Sequence, residues 1–88
     1  MKPYVVYVLR SRKYEKTYVG QTNSVDKRLL RHNKGLVQST KSYCPWEILH
    51  TEGFETRAEA MKREQWFKSG VGRNYIKHLI KNIGNEEV

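Results

Sequence analysis

Tyr4-Val5-Val6-Tyr7-Val8-Leu9, followed after a charged interruption by Thr17-Tyr18-Val19-Gly20-Gln21-Thr22, decides the fold. Both segments consist largely of β-branched, aromatic and aliphatic residues, which suit a pleated, half-buried strand. The polar run from Ser11 to Lys16 between them reads as the loop of an antiparallel hairpin. If Tyr7 stands opposite Tyr18, the two phenols project from one face, because residues directly across an antiparallel pair share a side of the sheet.

Downstream of the hairpin, Asn23 or Ser24 can cap a helix that carries Asp26 at its positive end, an apolar Val25/Leu29 pair, and Gly35 as a stop. Arg28 and His32 are four apart and share a face beside the buried stripe, whereas Lys27, Arg31 and Lys34 point elsewhere around the axis. Residues 36–44, including Lys41, form a polar loop before Pro45. Trp46 to Glu52 reads as a third strand, with Trp46, Ile48 and His50 on one face and Leu49 on the other. Thr56-Arg57-Ala58-Glu59 is a capping-box pattern that opens a second helix ending near Gly70. Its inward stripe is Ala60, Met61, Glu64 and Phe67. A carboxylate in an apolar row costs several kcal/mol if nothing faces it, so Glu64 calls for a metal, an arginine or an open cleft. The bland alternative is a structural ion pair, with Arg28 as partner. A last helix, about Arg73 to Asn82, carries Tyr75, Ile76, Leu79, Ile80 and Ile83, and a short acidic tail follows Gly84.

The chain has 88 residues, 17 Lys/Arg against 9 Asp/Glu, and a formal net charge of +8. That length fits one domain, residues 1–84 with 85–88 as a frayed tail, and leaves no room for a deep cavity around an organic cofactor. An open working surface is expected. No apolar run approaches the ~20 residues that span a bilayer, and no signal-peptide pattern opens the chain. The expectation is a soluble, cytoplasmic protein without membrane contact, nucleoid-associated if prokaryotic. Cys44 is the single cysteine, and His32, His50 and His78 lie too far apart for a zinc motif. Residues 1–44 hold ten Lys/Arg and two acids, whereas residues 45–88 hold seven of each. All the net charge therefore lies in the first half, which points to a polyanion, with nucleic acid ahead of acidic membrane.

Two tyrosines on a hairpin, an arginine with a histidine on the next helix, and a misplaced glutamate are the parts for phosphodiester hydrolysis. A hard divalent ion takes oxygen ligands, charge on the phosphoryl oxygens needs a fixed cation, and a phenol or imidazole can accept the proton of an attacking water. Here the sequence resembles the GIY-YIG nuclease superfamily, in particular its small single-domain members. Val5-Val6-Tyr7 and Tyr18-Val19-Gly20 stand for the two name-giving motifs, with ten residues between the tyrosines. Asp26-Lys27-Arg28-Leu29 with His32-Asn33 resembles the arginine helix, and Glu59 to Glu64 the helix bearing the metal-binding glutamate. Val5 departs from the pattern by replacing the first glycine.

The resemblance implies an α+β fold, a three-stranded antiparallel sheet flanked by helices in the order β-β-α-β-α-α, and cleavage of DNA with Mg²⁺ or Mn²⁺. It implies that Tyr7, Tyr18, Arg28 and His32 serve catalysis, that Glu64 is the metal ligand, and that Gly20 lets backbone pass close to the site. A free phenol has a pKa of about 10, so a tyrosine acts as a base near neutrality only with help, and Tyr7, Tyr18 and His32 all stand as proton acceptors. Lys27, Arg31, Lys34 and Lys41 are expected to hold phosphates. Some members add an asparagine after the glutamate helix; Asn74 and Asn82 are the two available. The expected function is a structure-directed or partner-directed endonuclease of DNA repair or recombination, targeted by a protein partner or a second copy of the chain. The competing classes are a catalytically silent nucleic-acid-binding module and an adaptor for an acidic protein.

Overall fold

Strand β1 (Tyr4–Ser11) is the centre of the molecule because its side chains are apolar on both faces. Val6 and Val8 point one way and Tyr7 and Leu9 the other, and all four are buried. A strand covered on both sides belongs in the middle of a sheet. The computed structural model describes residues 2–86 and orders the antiparallel sheet β2-β1-β3, with β2 spanning Thr17–Thr22 and β3 Trp46–Phe54. Ser11 ends β1 and fixes the hairpin: its hydroxyl donates to the Tyr43 carbonyl at 2.7 Å and accepts from the N–H groups of Lys13 and Tyr14.

The register differs from a direct Tyr7–Tyr18 pairing. Tyr7 faces Gly20, and Leu9 faces Tyr18. Since side chains alternate with a period of two, this two-residue offset leaves both phenols on one face, as expected. A second difference lies in β3. Val8 pairs with His50 but Leu9 pairs with Ile48, so Leu49 is an extra residue in a β-bulge. The bulge inverts the alternation. Trp46 and Ile48 stay on the Tyr7 side, whereas His50 turns to the opposite face, edge-on to Phe67 and Tyr75 and bonded to Glu52.

Helices cover both faces. Helix α1 (Val25–Asn33) lays Val25 and Leu29 on the cluster of Tyr7, Leu9 and Trp46. It ends as the sequence predicts: Gly35, at φ 74°, lets Gly35 and Leu36 return N–H bonds to the carbonyls of His32 and Arg31. The Asn33 side chain then clasps the start of β3, accepting from Trp46 N–H at 2.6 Å and donating to the Trp46 carbonyl at 3.0 Å.

On the other face, α2 (Arg57–Lys68) and α3 (Gly70–Glu86) bury Ala60, Phe67 and Ile76 against Val6, Val8 and Val19. Both halves of the Thr56/Glu59 capping box are present. Met61 stands one residue round from the Ala60–Glu64–Phe67 row and is exposed rather than inward. Helix α3 starts three residues earlier than the apolar stripe suggests and runs through Glu86. The expected tail therefore falls partly within α3, and residues 87–88 lie outside the described residues. Among the described residues, no helix is long and apolar enough to cross a membrane.

Helices α2 and α3 meet almost directly, joined through Ser69, and Gly72 makes that possible. A Cβ at position 72 would collide with the Trp66 carbonyl oxygen and the Phe67 Cα, both backbone atoms of α2. Backbone cannot yield as a flexible side chain can. Gly72→Ala is therefore expected to destabilise the protein by about 2–3 kcal/mol or more, read from the shift in urea unfolding midpoint, while Gly70→Ala, with open space around its Cβ, shows no such clash penalty.

Candidate functional site

The site begins where β1 and β2 pair. Because residue 20 has no side chain, the ring of Tyr7 leans across β2: a Cβ at that position would lie 2.6 Å from Tyr7 Oη and 2.7 Å from Cζ. Glycine is thus required by close approach, not by backbone conformation. Tyr18, two residues before on the same face, sets its ring 6.2 Å from that of Tyr7 and 4.8 Å from that of His32.

Helix α1 brings the cation and the imidazole. Arg28 donates Nε–H to Tyr7 Oη at 3.3 Å. One turn later, fully buried His32 places Nε2 at 3.2 Å from the same oxygen. Its Nδ1 lies 2.8 Å from Thr40 Oγ1, and the Thr40 hydroxyl can donate onward to the Val37 carbonyl at 3.4 Å. These partners are compatible with one direction of the network. With Thr40 donating to Val37, His32 carries its proton on Nδ1 and donates to Thr40, leaving Nε2 to accept from the Tyr7 hydroxyl.

The surroundings also set the charge of each group. Burial pushes the Tyr7 phenol above its ordinary value, more strongly than the Arg28 hydrogen bond favours the phenolate, and the nearby Tyr18 and Glu64 charges act in the same upward direction. Burial also lowers the His32 pKa, assisted by the positive charges of Arg28 and Arg31. The hydrogen bond to Tyr7 reinforces the charged form of Arg28. At neutral pH the site therefore holds a protonated phenol, a neutral imidazole and a fixed cation.

Glu64 comes from the opposite layer. Its side chain is 18% exposed and reaches the β2 edge, where Gln21 Nε2 donates to Oε1 at 3.0 Å. Its ion-pair partner is Lys68, at 2.7 Å from Oε2, and not Arg28. Lys68 is one helical turn along, so that pair is readable from spacing alone. Gln21 follows the motif glycine but gives no sign of its role, and Thr40 lies in an irregular loop where nothing in the sequence marks it. Among the described residues no group of three or more His, Cys, Asp or Glu side chains could cage a metal ion. A single carboxylate still fits Mg²⁺, which usually keeps several waters and binds through one or two carboxylates plus substrate phosphates.

Lys27 and Arg31 are exposed on α1, the helix that presents Arg28; exposed Lys34 caps its C-terminal end, and exposed Lys41 has its Cβ beside Gly35 just beyond. Asn74 stands on the exposed side of α3 next to Lys77 and His78. It belongs to the helix layer on the opposite face of the sheet from Tyr7. The candidate site residues are more enclosed than a small basic domain suggests: Tyr7 and His32 are buried, and Tyr18 and Arg28 half-buried.

The depressed His32 pKa has a stability consequence. Between its folded value and the unfolded value of about 6.5, the unfolded chain binds the extra proton, so this contribution is complete above pH 6.5 and is lost as pH falls through the folded pKa. Urea unfolding midpoints are expected to drop between pH 7.5 and 5, and His32→Gln to flatten that part of the profile. An unchanged slope in the variant would place the acid sensitivity elsewhere.

Comparison with known proteins agrees with the geometry. The family model described as the GIY-YIG catalytic domain matches residues 3–77. The UPF0213 protein YsiG of Lactococcus lactis is 37% identical over 84 residues, covering 93% of this chain and 79% of that protein. The UPF0213 protein CPE1444 of Clostridium perfringens is 36% identical over 83 residues, covering 93% and 87%. The solution NMR structure of the UPF0213 protein BH0048 of Bacillus halodurans superposes with a TM-score of 0.52 at 28% identity, covering 86% of this chain and 83% of that one. A β-β-α-β-α-α chain that sets the second motif's glycine beneath the first motif's tyrosine, with a matching domain across residues 3–77, belongs to the GIY-YIG family, a family of nucleases.

Proposed function

We propose that this protein is a divalent-metal-dependent endonuclease that hydrolyses DNA phosphodiester bonds, directed by DNA structure or by a partner, in repair or recombination. The supporting observation is that one oxygen, Tyr7 Oη, is shared by the Arg28 guanidinium and the His32 imidazole.

In this reading Tyr7 is the group that meets the attacking water. As the water oxygen bonds to phosphorus, its proton passes to Tyr7 Oη while the Tyr7 proton passes to His32 Nε2. The P–O bond to the leaving sugar oxygen breaks with its electron pair, and that oxygen is protonated from solvent. Tyr7 thus relays a proton without becoming a free phenolate, which burial would disfavour. Arg28, fixed beside Oη, stabilises the negative charge that builds at the phosphate. Thr40 keeps Nε2 of His32 free to accept. Glu64 would hold Mg²⁺ or Mn²⁺ once the ion competes with Lys68 for its oxygen and a substrate phosphate supplies a further ligand. The chemistry that ion supplies when bound is charge neutralisation and Lewis-acid polarisation at the phosphoryl oxygens. Lys27, Arg31, Lys34 and Lys41 hold the flanking backbone.

Purified protein should cut flapped or branched DNA with Mg²⁺ or Mn²⁺ and stop with chelator. Tyr7→Phe, Arg28→Ala and Glu64→Gln should each slow cutting by about 10²-fold or more. Wild type that binds every substrate but cuts none with either ion would replace this reading with the silent binding module. DNA affinity should also fall steeply with salt, and the Lys27→Ala/Arg31→Ala/Lys34→Ala variant should flatten the log–log slope by about 0.9 for each phosphate that is no longer neutralised. A salt-independent affinity would refute the phosphate-backbone interface.

A further inference from the structure

Four of the ten cations in residues 1–44 do not serve the site at all. Arg10, Arg12, Lys13 and Lys16 face Arg73 and Lys77 of α3 across a groove of about 740 Å³. Arg10 shares the strand face of Val6 and Val8, so the groove lies at the hairpin end on the opposite side of the sheet from Tyr7. Glu15 is the one acid lining it. Among the described residues, the only one of these six cations in an ion pair is Arg12, 3.9 Å from Glu47. Such a cluster repels itself unless an anion is present.

Two further features narrow that anion. The floor includes Ile76 and Ile80, and the wall carries Tyr14, which is 53% exposed and lines the groove. The Tyr14 ring is propped at 84° against Tyr43, with centroids 5.6 Å apart. A cationic groove that follows a backbone, combined with a held aromatic on which a base can stack, is how proteins bind single-stranded nucleic acid. A lipid surface cannot follow a concave wall, and a single propped ring among six cations suits a base stacked on a polyanion better than the apolar core of a protein interface.

We propose that the groove between the hairpin loop and α3 binds a single-stranded segment of nucleic acid. The proposal rests on the reading of the chain as a DNA-cutting enzyme and specifies its substrate: duplex at Tyr7, and a single-stranded arm carried round to the far side. Groove and phenol lie on opposite sides of the sheet, so a strand occupying both places has to branch away from the duplex.

Fluorescence anisotropy in chelator, where nothing is cut, tests this with a labelled single-stranded oligonucleotide and a duplex of equal length. Arg73→Glu/Lys77→Glu should weaken single-strand binding at least tenfold, and Tyr14→Ser by about 5- to 160-fold, the range for a base stacked on an aromatic. Both should affect the duplex less. Arg57→Glu/Lys62→Glu, exposed residues of α2 with the same charge change, should have a clearly smaller effect. Circular dichroism of each variant checks the fold. Equal losses for the control pair, unchanged single-strand binding, or loss of binding to phosphatidylserine vesicles or polyglutamate instead of the oligonucleotide would overturn the groove. Because the measurement needs no cleavage, it stays readable if the protein proves not to be a nuclease. An active nuclease whose groove variants bind normally would discard the groove alone.

Discussion

The site depends on a side chain that is missing. Tyr7 can lie over β2 and share its oxygen with Arg28 and His32 only because residue 20 contributes no Cβ to that space. Every other part of the site is arranged around the position this gives the phenol. Helix α1 is set down so that two residues one turn apart reach the same atom, and its end is closed at Gly35 so that the loop can come back and place Thr40 behind His32. The bulky partner in this close approach is held by the core, since Tyr7 packs with Leu9 and Trp46. A clash there could not be relieved by moving the ring.

Enclosure gives this arrangement its chemical character. An open, solvated phenol and imidazole would exchange protons with water and titrate independently. Here both are buried, each has its ordinary titration shifted toward the neutral form, and they face each other in one hydrogen bond. The cation beside them keeps its charge, and the carboxylate stays partly exposed at the rim. The buried phenol and imidazole are thus separated by depth from the half-buried guanidinium and the partly exposed carboxylate, within 88 residues.

Much of this was legible in the chain, for identifiable reasons. Element order followed from strong local signals: the apolar run of β1, the capping box at Thr56, the stop at Gly35. The motif tyrosines and their common face survived a two-residue error in register because the side-chain period is two. The face assigned to His50 did not survive, since a bulge leaves no mark in composition. Charge was legible in amount but misleading in place. Dividing the chain in half placed the whole excess in residues 1–44, the half with the tyrosine motifs, whereas folding sends Arg10 to the far face and unites the hairpin loop with α3. Thr40 and Gln21 could not be found from sequence, because each acts through one bond that only the tertiary structure brings about.

Strand β3 is an outer edge of the sheet, and such edges invite pairing with another chain. Where the strand begins, the outward N–H and C=O of Trp46 are already taken by the Asn33 amide, which imitates the backbone of a neighbouring strand. The same few ångströms that fasten α1 beneath the site thereby close one end of that edge to an intruding strand. Losing the Asn33 carboxamide would do two kinds of harm at once, loosening the helix that carries Arg28 and opening a seam along which copies of the protein could add to one another.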